Sequence, residues 1–263
     1  MHFTKMHGLG NDYLYVYGEP PADVEELAVR LSDRHFGVGS DGMIFISPSY
    51  AADFRMRIFN ADGSEAKMCG NGIRCVGKYV YDKGYTDKTL LTIETLSGIK
   101  TLVLRLRNKC VRSVTVDMGL AEAKEEMTLT AGGRTAVCTP VDVGNPHAVF
   151  FVEDVEKVPV GSFGPYVEKH EAFPGGVNAE FVQVLDGRKL RMRVWERGSG
   201  ITMACGTGAC ASAAAAVKKG FCPPDVPITV LLDGGPLEIT VSENRLVTMT
   251  GPAETICEGE VEA

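Results

Sequence analysis

The sequence of 263 residues contains no Cys-x-x-Cys pair, no His/Cys spacing of the structural zinc kind and no apolar run long enough to cross a bilayer. These absences argue against a thioredoxin-like role, a metal centre and a membrane span. The start, MHFTKMHGLGNDY, lacks the basic region and apolar core of a secretory signal. The expectation is a soluble, cytoplasmic protein, in which the eight cysteines are thiols rather than a disulfide framework. There is no Lys/Arg block, and a formal net charge of -7 gives no general positive field to attract nucleic acid or an anionic membrane.

What is present is enough apolar residue, 44%, to fill real cores. Period-two strand signals run from YLYVY at 13–17 through FRMRIF at 54–59 and LRMRVWE at 190–196 to RLVTMT at 245–250, separated by short turns, as in largely antiparallel sheets. Helices are expected at 23–34, 70–83 and 206–219, the last carrying the alanine-rich ACASAAAAVKK. The chain also repeats itself. Residues 55–84 align without a gap to 191–220 at an offset of 136, with eight identities in thirty positions, where chance pairing gives about two. Both copies read strand, loop, Cys-Gly-x-Gly, helix. A shorter echo pairs Gly10-Asn11 with Gly144-Asn145. The expected fold is therefore α/β of the α+β type: two similar pseudo-symmetric domains, 1–118 and 119–263, each a curved, largely antiparallel sheet around a central helix, with a cleft between them.

The repeated Cys-Gly-x-Gly carries chemistry. A cysteine just before a helix has its sulfur near unpaired N–H groups and the positive end of the macrodipole, which favour thiolate and are expected to lower its pKa. The glycines let the backbone approach a ligand and leave N–H groups for an anion. MCGNG at 68–72 and ACGTG at 204–208 each supply a base beside a carboxylate cradle. Inverting an amino-acid Cα requires one proton to leave one face and another to arrive at the opposite face. A thiolate and a thiol on opposed sides meet that need, and helix ends stabilise the charge that develops on the substrate carboxylate. A duplicated structural cap is the plainer alternative.

The motifs MHGLGNDY at 6–13, RHFGVGSDG at 34–42, FNADGSEAKMCGNGIRC at 59–75, VDVGNPHAVF at 141–150, VNAEFVQV at 177–184 and WERGSGITMACGTGAC at 195–210 occur in fixed order. In them the chain closely resembles the diaminopimelate epimerase family, pyridoxal-independent enzymes of lysine biosynthesis. The resemblance implies inversion of LL-diaminopimelate to the meso form without cofactor or metal. It makes Cys69 the sulfur facing the LL substrate and Cys205 the one facing the meso centre. Gly70, Asn71, Gly206 and Thr207 would hold the reacting carboxylate. His147 would accept or relay a proton from Cys69, and Glu196 would orient the reacting amine or poise Cys205. Asn11, Asn60, Asn145, Asn178, Glu196 and Arg197 would line the site and take the distal end of the substrate, Arg197 by its planar fork. Asn60 and Asn11 also suit turn positions. A homodimer is implied as well.

One departure touches the site: Ile201 stands where the family usually has Glu. GVGSDG at 37–42 spells a nucleotide-binding fingerprint but lacks the preceding strand and following helix. The nearest rival function is a pyridoxal-independent racemase or epimerase of another amino acid, such as a proline derivative, on the same paired-cysteine plan.

Overall fold

A computed structural model describes residues 1–262. The chain forms two compact units, one of Met1–Val116 together with the segment from Gly251 onward, the other Asp117–Thr250. The elements in chain order are β1 (His2–Gly8), β2 (Asn11–Tyr17), α1 (Val24–Ser32), β3 (Gly42–Pro48), β4 (Phe54–Asn60), β5 (Glu65–Ala66), α2 (Gly70–Asp82), β6 (Leu90–Thr95), β7 (Gly98–Arg107) and β8 (Cys110–Leu120). They continue as β9 (Glu122–Ala123), β10 (Met127–Ala131), β11 (Arg134–Asp142), β12 (Pro146–Phe151), α3 (Val160–Glu168), β13 (Asn178–Asp186), β14 (Lys189–Glu196) and β15 (Gly200–Ile201). The last are α4 (Gly206–Lys218), β16 (Ile228–Leu232), β17 (Gly235–Val241), β18 (Leu246–Pro252) and β19 (Glu254–Glu260). The fold is mixed α/β and rich in strand.

The repeat extends through the whole of each unit. In the first, the lateral order is β19-β1-β2-β3-β4-β6-β7-β8, with β2–β3 and β4–β6 parallel and the other neighbours antiparallel. In the second it is β9-β11-β12-β13-β14-β16-β17-β18, with β12–β13 and β14–β16 parallel. The short β5 and β15 lie on β4 and β14. Shared RMR segments explain part of the likeness: Met56 and Met192 point into their cores, while Arg57 forks onto Glu65 and its counterpart Arg193 pairs with Asp233.

Each unit buries one helix almost completely. In α2, Gly70–Val80 are all buried, and the helix packs on β1, β2 and β7. The alanines of α4 let it meet seven strands, β9, β11–β14, β16 and β17. A helix apolar on every side has to be enclosed, and small side chains let a sheet bend close around it.

Two expectations need correction. The second unit does not run from 119 to 263, because β19 pairs with β1 and belongs to the first. Its sequence, ETICEGE, is exposed along almost its whole length, so it has no buried alternation to read. The helix α3 was not expected either: VGSFGPYVE holds two glycines and Pro165, a composition that reads as loop. It is held by Phe163 and Val167, which pack into a cluster with Phe150 and Phe181. Strands β1, β3, β10 and β11 are further additions to the expected set. β3 is buried on both faces and shows no alternation, and β11 contains Pro140.

Candidate active site

Cys69 is the N-cap of α2 and Cys205 the N-cap of α4, both in extended backbone. Each sulfur accepts a hydrogen bond from the N–H three residues on, Gly72 or Gly208, at 3.3 Å in both. The cysteine therefore takes the place of a serine or aspartate cap, and the N–H groups of the first turn surround the sulfur. Gly70, Asn71 and Gly206 are buried in those first turns, with Thr207 half-buried.

In the first unit the Cys69 thiol donates to Asn11 Oδ1 at 3.4 Å. Asn11 is held in turn: its Nδ2 donates to Asp41 Oδ2 at 2.8 Å, and Arg34 donates to both Asp41 and Asp12. This chain of partners points the amide oxygen at the sulfur. The phenol of Tyr13, buried beside Asn11 and Cys69, is pushed well above its ordinary pKa by burial and then by the charge of Cys69. Asn60 turns to its own loop, Nδ2 donating to Ser64 Oγ at 3.1 Å.

In the second unit two carboxylates, Glu196 and Glu180, act on the cysteine. His147 is wholly buried, with Nδ1 2.7 Å from Glu180 Oε1 and Nε2 3.1 Å from Asn145 Oδ1. Glu196 accepts from the Thr202 hydroxyl. Burial raises the Glu196 carboxyl above its usual range, with hydrogen bonds from Thr202 and Cys205 opposing and the charge of Glu180 adding to the rise. Asn178 Oδ1 accepts the Arg197 N–H at 2.8 Å. The exposed Arg197 guanidinium donates to Gly175 O at 2.8 Å, and its stem lies against Gly176, where φ is +74° and a Cβ would stand 2.8 Å from Arg197 Cδ. Strand register sets His147 beside Asn178, and Glu180 beside Val149 on one side and Val194 on the other.

The expected lowering of the thiol pKa fails at Cys205. Its sulfur is driven well above the ordinary value, first by burial, then by the charges of Glu196 and Glu180; the Thr207 and Gly208 donors oppose this and lose. The helix end acts over one turn, whereas desolvation of a thiolate next to two carboxylates is the larger effect.

The strand registers match position to position: Asn11 with Asn145, Tyr13 with His147, Ile44 with Glu180 and Asn60 with Glu196. Sequence reasoning passed over Tyr13, Asp41, Glu180 and Thr202. Glu180 could have been found as a carboxylate inside the apolar strand AEFVQV, opposite Ile44 at the offset of the repeat. Ile201 is half exposed, and it is Thr202, next along the chain, that donates to Glu196. The segment 37–42 follows α1 and leads into β3, which is not the order of a nucleotide loop. Among the described residues there is no disulfide, no cluster of His, Cys, Asp and Glu able to hold a metal, and no helix long and apolar enough to cross a membrane.

Residues 3–124 and 139–256 match the family model described as diaminopimelate epimerase. A diaminopimelate epimerase of Methanococcus maripaludis is 50% identical over all of both chains. One from Acetivibrio thermocellus is 50% identical over all of this chain and 99% of its own, and one from Bacillus licheniformis is 50% identical over 98% and 97%. Among solved structures, a predicted epimerase from Pseudomonas aeruginosa superposes with a TM-score of 0.77 at 18% identity, covering 100% of this chain and 99% of that one. A probable proline racemase from Agrobacterium radiobacter gives 0.76 at 16%, covering 99% and 92%. These last two likenesses are of fold. With half of its residues shared end to end with such relatives, and with two cysteine-capped helices at matching places in its two units, the chain belongs to the diaminopimelate epimerase family.

Proposed function

We propose that this chain inverts one Cα of LL-diaminopimelate to give the meso isomer by two-base proton transfer, with Cys69 and Cys205 as the proton carriers. The observation that carries the reading is the identical placing of the two sulfurs, each an N-cap receiving its own N–H at 3.3 Å. The matched strand orders support two pseudo-symmetric halves, each presenting one such helix end. In the forward direction the Cys69 thiolate takes the α-proton while the Cys205 thiol gives its own to the opposite face. One C–H bond breaks and one forms, and one thiol and one thiolate remain with their places exchanged. That balance calls for no cofactor.

Negative charge gathers on the substrate carboxylate as the proton leaves. The first-turn N–H groups of Gly70, Asn71, Gly206 and Thr207 stabilise it. Glu196 orients the reacting amine or poises Cys205, and His147 accepts or relays a proton. Asn11, Asn60, Asn145, Asn178 and Arg197 line the site and recognise the distal amino-acid end, Arg197 pairing with its carboxylate. A homodimer in the cytoplasm fits the family reading.

The test is proton NMR of the reduced protein with LL-diaminopimelate in heavy water. Deuterium at one Cα together with meso product, with no pyridoxal phosphate added, supports the assignment. A folded protein with both thiols reduced that shows neither exchange nor isomerisation refutes it, and turnover of a proline derivative instead favours the racemase reading.

A further inference from the structure

The two halves of the candidate site share their strands but differ at one buried position. Ile44 of β3 lies in register with Ile58 of β4, and Glu180 of β13 with Val194 of β14, related by the same offset as the cysteines. Each side chain sits under the first turn of its own helix. A Cβ on Gly72 would stand 2.7 Å from Ile44 Cδ1; one on Gly208 would stand 2.8 Å from Glu180 Oε1 and 3.2 Å from Cys205 Sγ. Where a methyl group lies beneath Cys69, a carboxyl oxygen lies beneath Cys205.

Glu180 is wholly buried, and its Oε2 has no hydrogen-bond partner. Such a group costs stability, and Ile44 demonstrates that the fold accepts an apolar residue at this place. Glu180 is therefore no packing device. Its Oε1 meets His147 Nδ1 at 2.7 Å, while His147 Nε2 meets the Asn145 oxygen. The His147 ring is thereby held between a carboxyl oxygen at Nδ1 and an amide oxygen at Nε2. The oxygen end faces Cys205.

We propose that Glu180 is a positioning residue for the inversion: it fixes the His147 ring through Nδ1 and, from beneath the first turn of α4, keeps Cys205 as the protonated, proton-donating sulfur. This rests on the two-cysteine reading above. The groups acting on Cys205 are Glu180 from β13, Glu196 from β14, and Thr207 with the Gly208 N–H from α4, with His147 of β12 behind Glu180. The matching places around Cys69 hold Ile44 and Asn60 where the second unit has Glu180 and Glu196, and the phenol of Tyr13 where it has His147, so neither carboxylate has a counterpart there. The asymmetry makes Cys69 the base and Cys205 the acid when the LL isomer arrives, and the direction of the raised Cys205 pKa agrees.

The experiment compares Glu180→Gln and Glu180→Ile with the full-length parent, each checked for folding by circular dichroism and thermal midpoint. Three quantities are read: kcat and KM in both directions, the pH dependence of Cys205 alkylation by iodoacetamide followed on its peptide by mass spectrometry, and the nitrogen-15 resonance of His147 Nδ1. Both variants are expected to lose about 10-fold or more in kcat with KM within about 2-fold. Cys205 should alkylate at lower pH than in the parent, and the His147 signal should lose its strongly hydrogen-bonded position. A folded variant with parental kcat and an unchanged alkylation profile overturns the proposal. If the parent itself fails to turn over diaminopimelate, the functional reading falls, and the alkylation and histidine signals still decide the role of Glu180.

Discussion

Replacing Gly208 by alanine tests whether the packing beneath Cys205 governs the chemistry. Gly to Ala within a helix gains up to about 1 kcal/mol. Here the new methyl stands 2.8 Å from Glu180 Oε1 and 3.2 Å from both Cβ and Sγ of Cys205, and overpacking of this sort costs about 1–3 kcal/mol. The net loss is about 0–2 kcal/mol, which lowers the midpoint of thermal unfolding by several degrees at most, given about 2–4 °C per kcal/mol in chains of about this size. Relief requires the sulfur or the carboxyl to move, and misplacement of a reacting group approaching 1 Å costs about 100-fold. The expected result is a folded variant whose kcat falls about 10- to 100-fold. Gly72→Ala is the internal control: its methyl meets the flexible ends of Ile44 and Met56, at 2.7 and 3.2 Å, and only the Cβ of Cys69, at 3.4 Å. It should have nearly parental kcat. Scanning calorimetry and the isomerisation assay measure both quantities. Equal kcat in the two variants, or a fully active Gly208→Ala, would refute the reasoning.

Thr202→Val removes the hydroxyl that donates to Glu196. The ionised form loses a partner, so the Glu196 pKa rises further and the acid limb of the kcat–pH profile should move to higher pH; an unmoved limb counts against a role for Glu196 ionisation. Arg197→Lys keeps the charge but loses the planar fork, and should raise KM for diaminopimelate about 10-fold or more with kcat little changed, in line with about 1.5–3 kcal/mol for a charged hydrogen bond; steady-state kinetics decide. Asp53 is held below the ordinary carboxylate pKa of 3.8, first by its hydrogen bond from Lys88 and then by Thr92. Its stabilisation is thus present above that value and lost as pH falls through the lower folded value. Asp53→Asn should cost about 1 kcal/mol at neutral pH, discounted because Lys88 is 61% exposed, and the gap in thermal midpoint should close once the native carboxylate is protonated.

Legibility in the sequence followed physical contrast. The helices α2 and α4 and both cysteine caps could be read because Cys-Gly-x-Gly recurs at a fixed offset beside an identical RMR strand. Asn11 and Asn60 looked alike as loop asparagines, yet Asn11 is fastened by Asp41 with its oxygen toward Cys69, and Asn60 bonds its own turn. Nothing local distinguishes them, since the difference lies in Asp41 and Arg34, which are far along the chain. The pKa of Cys205 was misjudged for the same reason. The cap is a local feature, but Glu180 and Glu196 reach the sulfur only through strand pairing. Glu180 itself was hidden within a motif whose other members drew notice for their amides.

The pairing of β19 with β1 bears on how the protein is made. His2 and Glu260 are partners in one ladder, the N-terminal amine donates to Val261 O, and Arg74 of the Cys69-bearing helix donates to Pro252 O on the returning segment. On a ribosome, everything between these residues is translated before the ladder can close. The unit that starts first is therefore finished last, after the intervening one has had time to form. A nascent or prematurely terminated chain lacks the edge strand and the carbonyl that steadies Arg74, so its Cys69 remains in an unfinished setting, and reactivity of that thiol would report whether translation ran to completion.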